Sequence, residues 1–458
     1  MWTVLWSKIF AILMPVVLLF NTAGTKLPGI SEKLVKAEIG YEFDNDKFYS
    51  AAGTVSVSAK TDGKYDLYWG DENGEPLTED IGGYPVTFSE FATVSVRDGK
   101  GKEEIVDFTL IPDGAETVLA YKNGVYAGKA GLPEEKTAAA EEPSYRFGAI
   151  SDVHFNRYFL HLDDDAKLTL PNALNFFEKA GVRAVALPGD LTSEGEEKSL
   201  KLFNKYISEY DFPVYTCMGN HDTRGDAVES GAWEKYINPG VYGEEKAEGI
   251  LDVNGRDFIY TPDDNDIFIF LSQYQWSYNS PDSELLSSEQ LDWLEAKLAA
   301  YADRTVYLFF HTFLANQQTG DRKTGEGNAV NDKDTYYNLV YTPETADELR
   351  FTALLETYKN VIFFNGHSHF AFELQKLNPI LNITDYDGKT CTMVHIPSVS
   401  SPRTMNQNSK DYSDNYLRKS QGYLVKVYPD RIVLQGVEFL KGQFISYACY
   451  AVERAGTR

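Results

Sequence analysis

Residues 213–222 read Pro213-Val214-Tyr215-Thr216-Cys217-Met218-Gly219-Asn220-His221-Asp222. The first six form an apolar run of the length expected for a short buried strand, and the last four then fall in the turn at its carboxyl end. Asparagine offers a neutral oxygen ligand, histidine a ring nitrogen, and aspartate a carboxylate that can orient the histidine. Asn and Gly also simply make turns, so the tetrapeptide alone decides little. It becomes decisive when other strand ends in the same chain carry the same residue types.

Four do. Phe147-Gly148-Ala149-Ile150 runs into Ser151-Asp152-Val153-His154, and Val182 to Leu187 runs into Pro188-Gly189-Asp190. Val306 to Phe310 ends at His311, and Val361-Ile362-Phe363-Phe364 leads to Asn365-Gly366-His367-Ser368-His369. The chain has seven His; those at 154, 221, 311, 367 and 369 all follow such a run. A further strand is expected at Ile267–Ser272. Helical patterns alternate with these strands: Asn172–Ala180, stopped by Gly181; Glu196–Tyr210, with Leu200, Phe203 and Ile207 on one face; and Leu349–Tyr358. Ser287 and Gln290 form a capping box ahead of the stripe Leu291, Leu294, Leu298. This alternation predicts an α/β domain, and in open α/β sheets ligands sit at the carboxyl ends of strands.

Five strand ends carrying His, Asp and Asn then converge on one crevice. These groups suit borderline divalent cations, and no thiolate stands among them, which argues against a structural Cys-rich zinc site. There are more ligands than one four-coordinate ion needs, so two ions sharing a carboxylate is the economical interpretation. Two such ions about 3.5–4 Å apart are a common device for clamping the oxygens of a phosphoryl transfer.

Asp152-Val153-His154, Gly189-Asp190, Gly219-Asn220-His221-Asp222, His311 and Gly366-His367-Ser368-His369 together resemble the ordered motif set of the calcineurin-like metallophosphoesterases, over roughly residues 145–440. The resemblance implies two packed β-sheets flanked by helices and a hydrolase acting on a phosphodiester or phosphomonoester. It implies that Asp152, His154 and His369 hold a first metal, that Asp190 bridges, and that Asn220, His311 and His367 hold a second. It further implies attack by a hydroxide bridging two divalent ions (Mn, Fe, Zn or Ni), with His221 contacting the phosphoryl group and protonating the leaving oxygen while Asp222 orients it. One departure stands out: in the purple acid phosphatase branch a Tyr lies three residues after the bridging Asp, and here that residue is Ser193. An iron site of that type is therefore not expected.

The rest of the chain frames this domain. Ile9 to Phe20 is an apolar run of twelve residues, preceded by a short segment with one Lys and followed by Asn21-Thr22-Ala23-Gly24. That layout predicts a secretory signal over residues 1–24, with a retained N-terminal membrane anchor as the alternative. Residues 33–128 read as a small β-sandwich of immunoglobulin-like or fibronectin-like type, with strands at 54–58, 65–69, 91–96 and 105–110 and a hairpin about Asn123-Gly124. Residues 129–143 read as a linker, and 144–458 as the phosphoesterase domain, whose tail returns to β with a strand at 391–396, a hairpin at 423–434 and at least one strand in 439–452.

A net charge of −25 disfavours long nucleic acid as a partner and fits a small-molecule or surface-attached phosphoester. The three Cys, at 217, 391 and 449, rule out a disulfide scaffold; buried free thiols are expected, with a Cys391–Cys449 bridge as the alternative. Asn156 and Arg157 are candidate substrate contacts, and Trp276, Tyr336 and Tyr337 a candidate stacking wall. His161 and the Asp163-Asp164-Asp165 run read as solvated, His395 as structural, and Gln317–Glu344 as a long polar loop. Two other function classes fit the same residues: an exported envelope- or glycan-binding protein on a worn phosphoesterase scaffold, and a dinuclear hydrolase of a non-phosphorus ester. Neither is favoured, since no ligand is missing and His221-Asp222 suits a phosphoryl leaving group.

Overall fold

In the computed structural model the described residues are 36–44, 50–105, 109–137, 141–155, 162–226, 228–274, 285–312, 346–375, 383–385, 388–405 and 414–454. The signal segment, Asn156, Arg157, His161, Trp276, Tyr336, Tyr337 and the 317–344 stretch lie outside them. The chain divides into two compact units, Met1–Leu77 with Phe88–Ala140, and Thr78–Thr87 with Glu141–Arg458.

The first unit is strand-rich. Ala37–Phe43, Gly53–Ala59 and Lys100–Ile105 form one antiparallel sheet, and Ala92–Val96, Gly63–Gly70, Thr117–Lys122 and Val125–Gly131 form another. Burial follows period two: Val55 and Val57 are inside, as are Tyr65, Leu67 and Trp69. Trp69 stacks on Phe91 with ring centroids 4.0 Å apart. The turn at Asn123-Gly124 has φ of 52° and 74°, the left-handed pair that a tight hairpin demands. The strand Lys100–Ile105 holds the first residue of the strand expected at 105–110, of which 106–108 lie outside the described residues. Its residues Lys100, Lys102, Glu103 and Glu104 are tolerated because it lies at a sheet edge, where charge guards against further pairing. The strand Val125–Gly131 also runs past Lys129, into the stretch read as linker.

The second unit is built on two sheets. In the first, Val214–Cys217, Val185–Pro188 and Tyr145–Ala149 are parallel neighbours, followed by the antiparallel Gln421–Val427, Arg431–Glu438 and Gln443–Glu453. The hairpin Thr78–Ile81/Tyr84–Phe88 completes that sheet, although it lies within the span read as a single N-terminal domain. Glu79 pairs with Lys426, and the Lys179 ammonium sits 4.2 Å from the Tyr84 ring centroid. In the second sheet Asp266–Leu271, Thr305–Phe310, Val361–Asn365 and Thr392–His395 are parallel. Asp257–Tyr260 and Ile250–Asn254 extend it on one side, Ile383–Thr384 on the other.

The apolar runs are continuous because these strands are buried on both faces. Along Thr305–Phe310, Tyr307 and Phe309 point between the sheets, where Phe147 packs edge-on against Phe268, Tyr307 and Phe364. Val306, Leu308 and Phe310 point the other way, under the helices Ser288–Ala300 and Ala346–Thr357. The capping box at Ser287 and Gln290 is present with both of its hydrogen bonds. On the outer face of the first sheet lies the helix Leu162–Ala180, longer than the segment expected and with Pro171 inside it. Gly148 leaves room for Phe177, since a Cβ there would sit 2.7 Å from its ring. All three cysteines are buried and none is in a disulfide.

At the amino-terminal end of the parallel strands the sheets are tied by a buried polar cluster. Asp266 Oδ2 accepts hydrogen bonds from Tyr145 Oη at 2.8 Å and from Arg454 Nη2 at 2.6 Å. Replacing Arg454 by Met strands the Asp266 carboxylate, which is fully buried. The expected cost is about 3–5 kcal/mol, read as a lowered denaturation midpoint, with part of it recovered in the Arg454→Met/Asp266→Asn double variant.

Candidate metal centre

Every candidate ligand sits just beyond the carboxyl end of a parallel strand. Asp152 and His154 follow Tyr145–Ala149, Asp190 follows Val185–Pro188, and Asn220 follows Val214–Cys217. His311 follows Thr305–Phe310, and His367 and His369 follow Val361–Asn365. The loops between them are stitched together by isolated parallel bridges, Phe155 to Thr192 and Ser151 to Ser398.

The seven residues converge. His154 Nε2 and His369 Nε2 are 3.0 Å apart, and Asp152 Oδ1 lies 3.1 Å from His369 Nε2 and 3.7 Å from His154 Nε2. Asp190 Oδ2 lies 3.5 Å from His154 Nε2 and 3.1 Å from His311 Nε2. His367 Nδ1 is 3.3 Å from His311 Nε2 and 2.9 Å from Asn220 Oδ1. Two ligand groups result, Asp152-His154-Asp190-His369 and Asp190-His311-His367, with Asp190 in both. Only His367 among these ligands is part-exposed, and His221 beside them is too, so the cluster opens on that side.

Each carboxylate has one oxygen held by a backbone N–H and the other turned to the imidazoles. Asp152 Oδ2 accepts from His367 N at 3.1 Å and Asp190 Oδ1 from His221 N at 2.9 Å. Ring orientation is fixed from behind: His311 Nδ1 donates to Pro188 O at 2.8 Å, and His369 Nδ1 lies 3.0 Å from Ser401 Oγ. These contacts turn Nε2 of both rings toward the centre. Ser398 supports the same corner, its Oγ donating to Asp152 O at 2.8 Å and accepting from Ser401 N at 2.9 Å. None of these supports was expected from sequence. The signal available was position: Ser398, Ser400 and Ser401 follow the strand Thr392–His395 much as the histidines follow theirs.

The expectation that Asp222 orients His221 is corrected. Asp222 accepts four hydrogen bonds, from Leu191 N, Thr192 N, Thr192 Oγ1 and Gly219 N at 2.9–3.2 Å, and none of them comes from His221. It binds the turn carrying Asp190 to the turn carrying Asn220. The histidine is instead fixed by a backbone carbonyl, its Nδ1 donating to Ser193 O at 2.7 Å.

The backbone is strained where the ligands are. Among the described residues the non-glycine residues with positive φ include Asp152 (58°), His154 (56°), Asp190 (53°), His367 (71°) and His369 (59°). Such residues cost on the order of 1–3 kcal/mol each and persist where the surroundings over-determine them. The motif glycines allow the turns to touch. A Cβ on Gly219 would collide with Asp190 Oδ1 and sit 2.5 Å from Asp190 N; one on Gly366 would collide with Ser151 Oγ and sit 2.6 Å from Asp152 Oδ2.

The residues fit divalent cations. Asp152 Oδ1 is buried and has no hydrogen-bond donor. Oxygen and nitrogen ligands about 2.0–2.2 Å from one cation stand roughly 3.0–3.5 Å from each other, close to the spacings observed here. Burial opposes ionisation of Asp152, but His369, His154 and His311 outweigh it and hold its carboxyl well below the usual range. The same contest lowers Asp190, through His311 and His221. Burial works against a charge on His311, yet the Asp190 carboxylate wins and raises it to about 9. His367 is pushed down to about 3 by burial and by His311.

Gly219→Ala should displace the Asp190 carboxylate without replacing any candidate ligand. The expected result is a loss of bound metal and of activity by about 100-fold. Metal analysis after gel filtration checks it; wild-type metal content in the variant would contradict the packing described.

The model of the calcineurin-like phosphoesterase family matches residues 145–371. Similar solved structures include a dimetal phosphatase from Danio rerio, 15% identical, covering 68% of this chain and 99% of that one with a TM-score of 0.45. A purple acid phosphatase from yellow lupin (Lupinus luteus) seeds is 14% identical, with 91% and 74% covered and a TM-score of 0.44. A structure described as PhoD is 10% identical, with 93% and 94% covered and a TM-score of 0.39. No curated protein matches the sequence. Because the matched span takes in every candidate ligand from Asp152 to His369, residues 145–371 form a calcineurin-like phosphoesterase domain, and the chain is a metal-dependent phosphoesterase.

Proposed function

We propose that the chain is an exported hydrolase of a small or surface-attached phosphodiester or phosphomonoester, working with two divalent cations at these strand ends. One observation carries the reading: Asp190 belongs to both ligand groups, its Oδ2 3.5 Å from His154 Nε2 and 3.1 Å from His311 Nε2. Asp152, His154 and His369 would hold one cation, Asn220, His311 and His367 the other, and Asp190 would be shared between them. The nitrogen and oxygen ligands, with no thiolate, suit Mn, Fe, Zn or Ni. When bound, the two cations supply the charge that activates water near neutral pH and offsets charge on the phosphoryl oxygens.

The chain's own residues supply position and a proton. Rigid strands fix each ligand at its root, and the backbone N–H bonds to Asp152 and Asp190 fix which carboxylate oxygen faces the centre. His221 stands at the open side, its ring 4.8 Å from that of His154. With Nδ1–H committed to Ser193 O, its Nε2 is the atom left for the substrate. There it would contact the phosphoryl group and, when the ring carries a second proton, hand that proton to the departing oxygen. Export is supported by the apolar run Ile9–Phe20 and the small residues after it.

Hydrolysis of matched chromogenic aryl phosphate monoester and diester, with Mn(II) added, tests the reading. Turnover of at least one ester is expected, falling more than about 100-fold in Asn220→Ala. No turnover of either ester with metals verified as bound would overturn it in favour of a binding role. Full activity in Asn220→Ala would overturn the ligand assignment.

A further inference from the structure

Ser368 stands between His367 and His369, which serve different cations in the reading above. Both histidines hold left-handed backbone, with φ of 71° and 59°. A loop with two such residues keeps its shape only if something fixes it. Every polar atom of Ser368 is engaged. Its N–H donates to Gly366 O at 2.9 Å, and its carbonyl accepts from Arg403 Nε at 2.7 Å. Its Oγ accepts from Phe370 N at 3.3 Å and lies 2.6 Å from His395 Nε2.

The His395 contact differs in where it is anchored. His395 is fully buried at the end of the strand Thr392–His395 and pairs in register with Asn365, the residue from which the ligand loop departs. Ile396 N donates to Asn365 O at 2.7 Å, closing the ladder there. The imidazole therefore holds the middle of the loop from a backbone that is paired to the loop's own root. Its other nitrogen, Nδ1, is buried with no hydrogen-bond partner. An apolar side chain of similar size would avoid that penalty, so the position favours an imidazole only for what Nε2 does.

We propose that His395 is a positioning residue for both cations, acting through Ser368. Its hydrogen bond to Ser368 Oγ pins the strained backbone that aims His367 at one cation and His369 at the other. This rests on the metal reading given under the proposed function. Supporting groups behind metal ligands typically govern affinity by 10–100-fold, because ligand geometry tolerates little error.

The test is Mn(II) binding to the purified full-length chain, titrated by the electron paramagnetic resonance signal of free Mn(II). Ser368→Ala and His395→Leu should each weaken binding about 10-fold or more. The double variant should bind no worse than the weaker single variant, because both break the same bond. His395→Gln should recover part of the loss, since its amide can reach Oγ. A merely structural role would lower the unfolding midpoint of the metal-free protein while leaving affinity within about twofold of wild type; that result would overturn the proposal. Additive losses in the double variant, or equal affinities for the Gln and Leu variants, would also overturn it. If the His395 variants do not fold, Ser368→Ala decides alone by the same affinity criterion. A wild-type chain that binds no Mn(II) would sink the metal reading and this proposal together, and is distinguishable from a change confined to the variants.

Discussion

Two carboxylates, Asp152 and Asp190, are buried at one end of an apolar sandwich, and the rest of the site depends on how their charge is met. An isolated carboxylate in such a place is costly unless paired or coordinated. Here one oxygen of each is satisfied by a backbone N–H from another loop, and the other faces imidazole nitrogens. The half that faces the imidazoles still lacks a hydrogen-bond donor at Oδ1 of Asp152. Divalent cations meet that need at a spacing the nitrogens and oxygens already have.

The fold makes the arrangement possible by spending hydrophobic burial on rigidity. Strands such as Thr305–Phe310 are buried on both faces, with aromatic rings between the sheets and aliphatic side chains under the helices. Well-packed strands of this kind hold their ends in place. The left-handed ligand residues and the contacts across Gly219 and Gly366 would relax in a softer frame. Strain at the loops is thus offset by packing in the layers below them, a distribution common at functional sites.

Much of this was legible in the sequence, for a physical reason. A strand buried on both faces is a continuous apolar run, so its end is easy to place, and the ligand types stand out against it. Asp152, His154, Asp190, Asn220, His311, His367 and His369 could therefore be collected before any geometry was known, and they do converge. What stayed hidden depends on partners distant in sequence. Asp222 looks like the partner of the adjacent His221, but its donors come mostly from Leu191 and Thr192. Ser401 and His395 matter only once the sheet brings Thr392–His395 alongside Val361–Asn365. The hairpin Thr78–Phe88 reads as part of the β-rich unit around it, and its place at the edge of the other sheet has no local signature. The helix Leu162–Ala180 begins well before the expected Asn172 and carries Pro171 in its interior, where proline is usually a helix breaker.

In the proposed centre, Asp190 joins two cations. Electron paramagnetic resonance of the Mn(II)-loaded chain tests this arrangement most directly, because ions about 3.5–4 Å apart are magnetically coupled. The arrangement predicts two Mn(II) per chain and a spin-coupled signal that gives way to that of isolated Mn(II) when Asp190 is changed to Ala. A wild-type signal of isolated Mn(II) only, at one ion per chain, would contradict it.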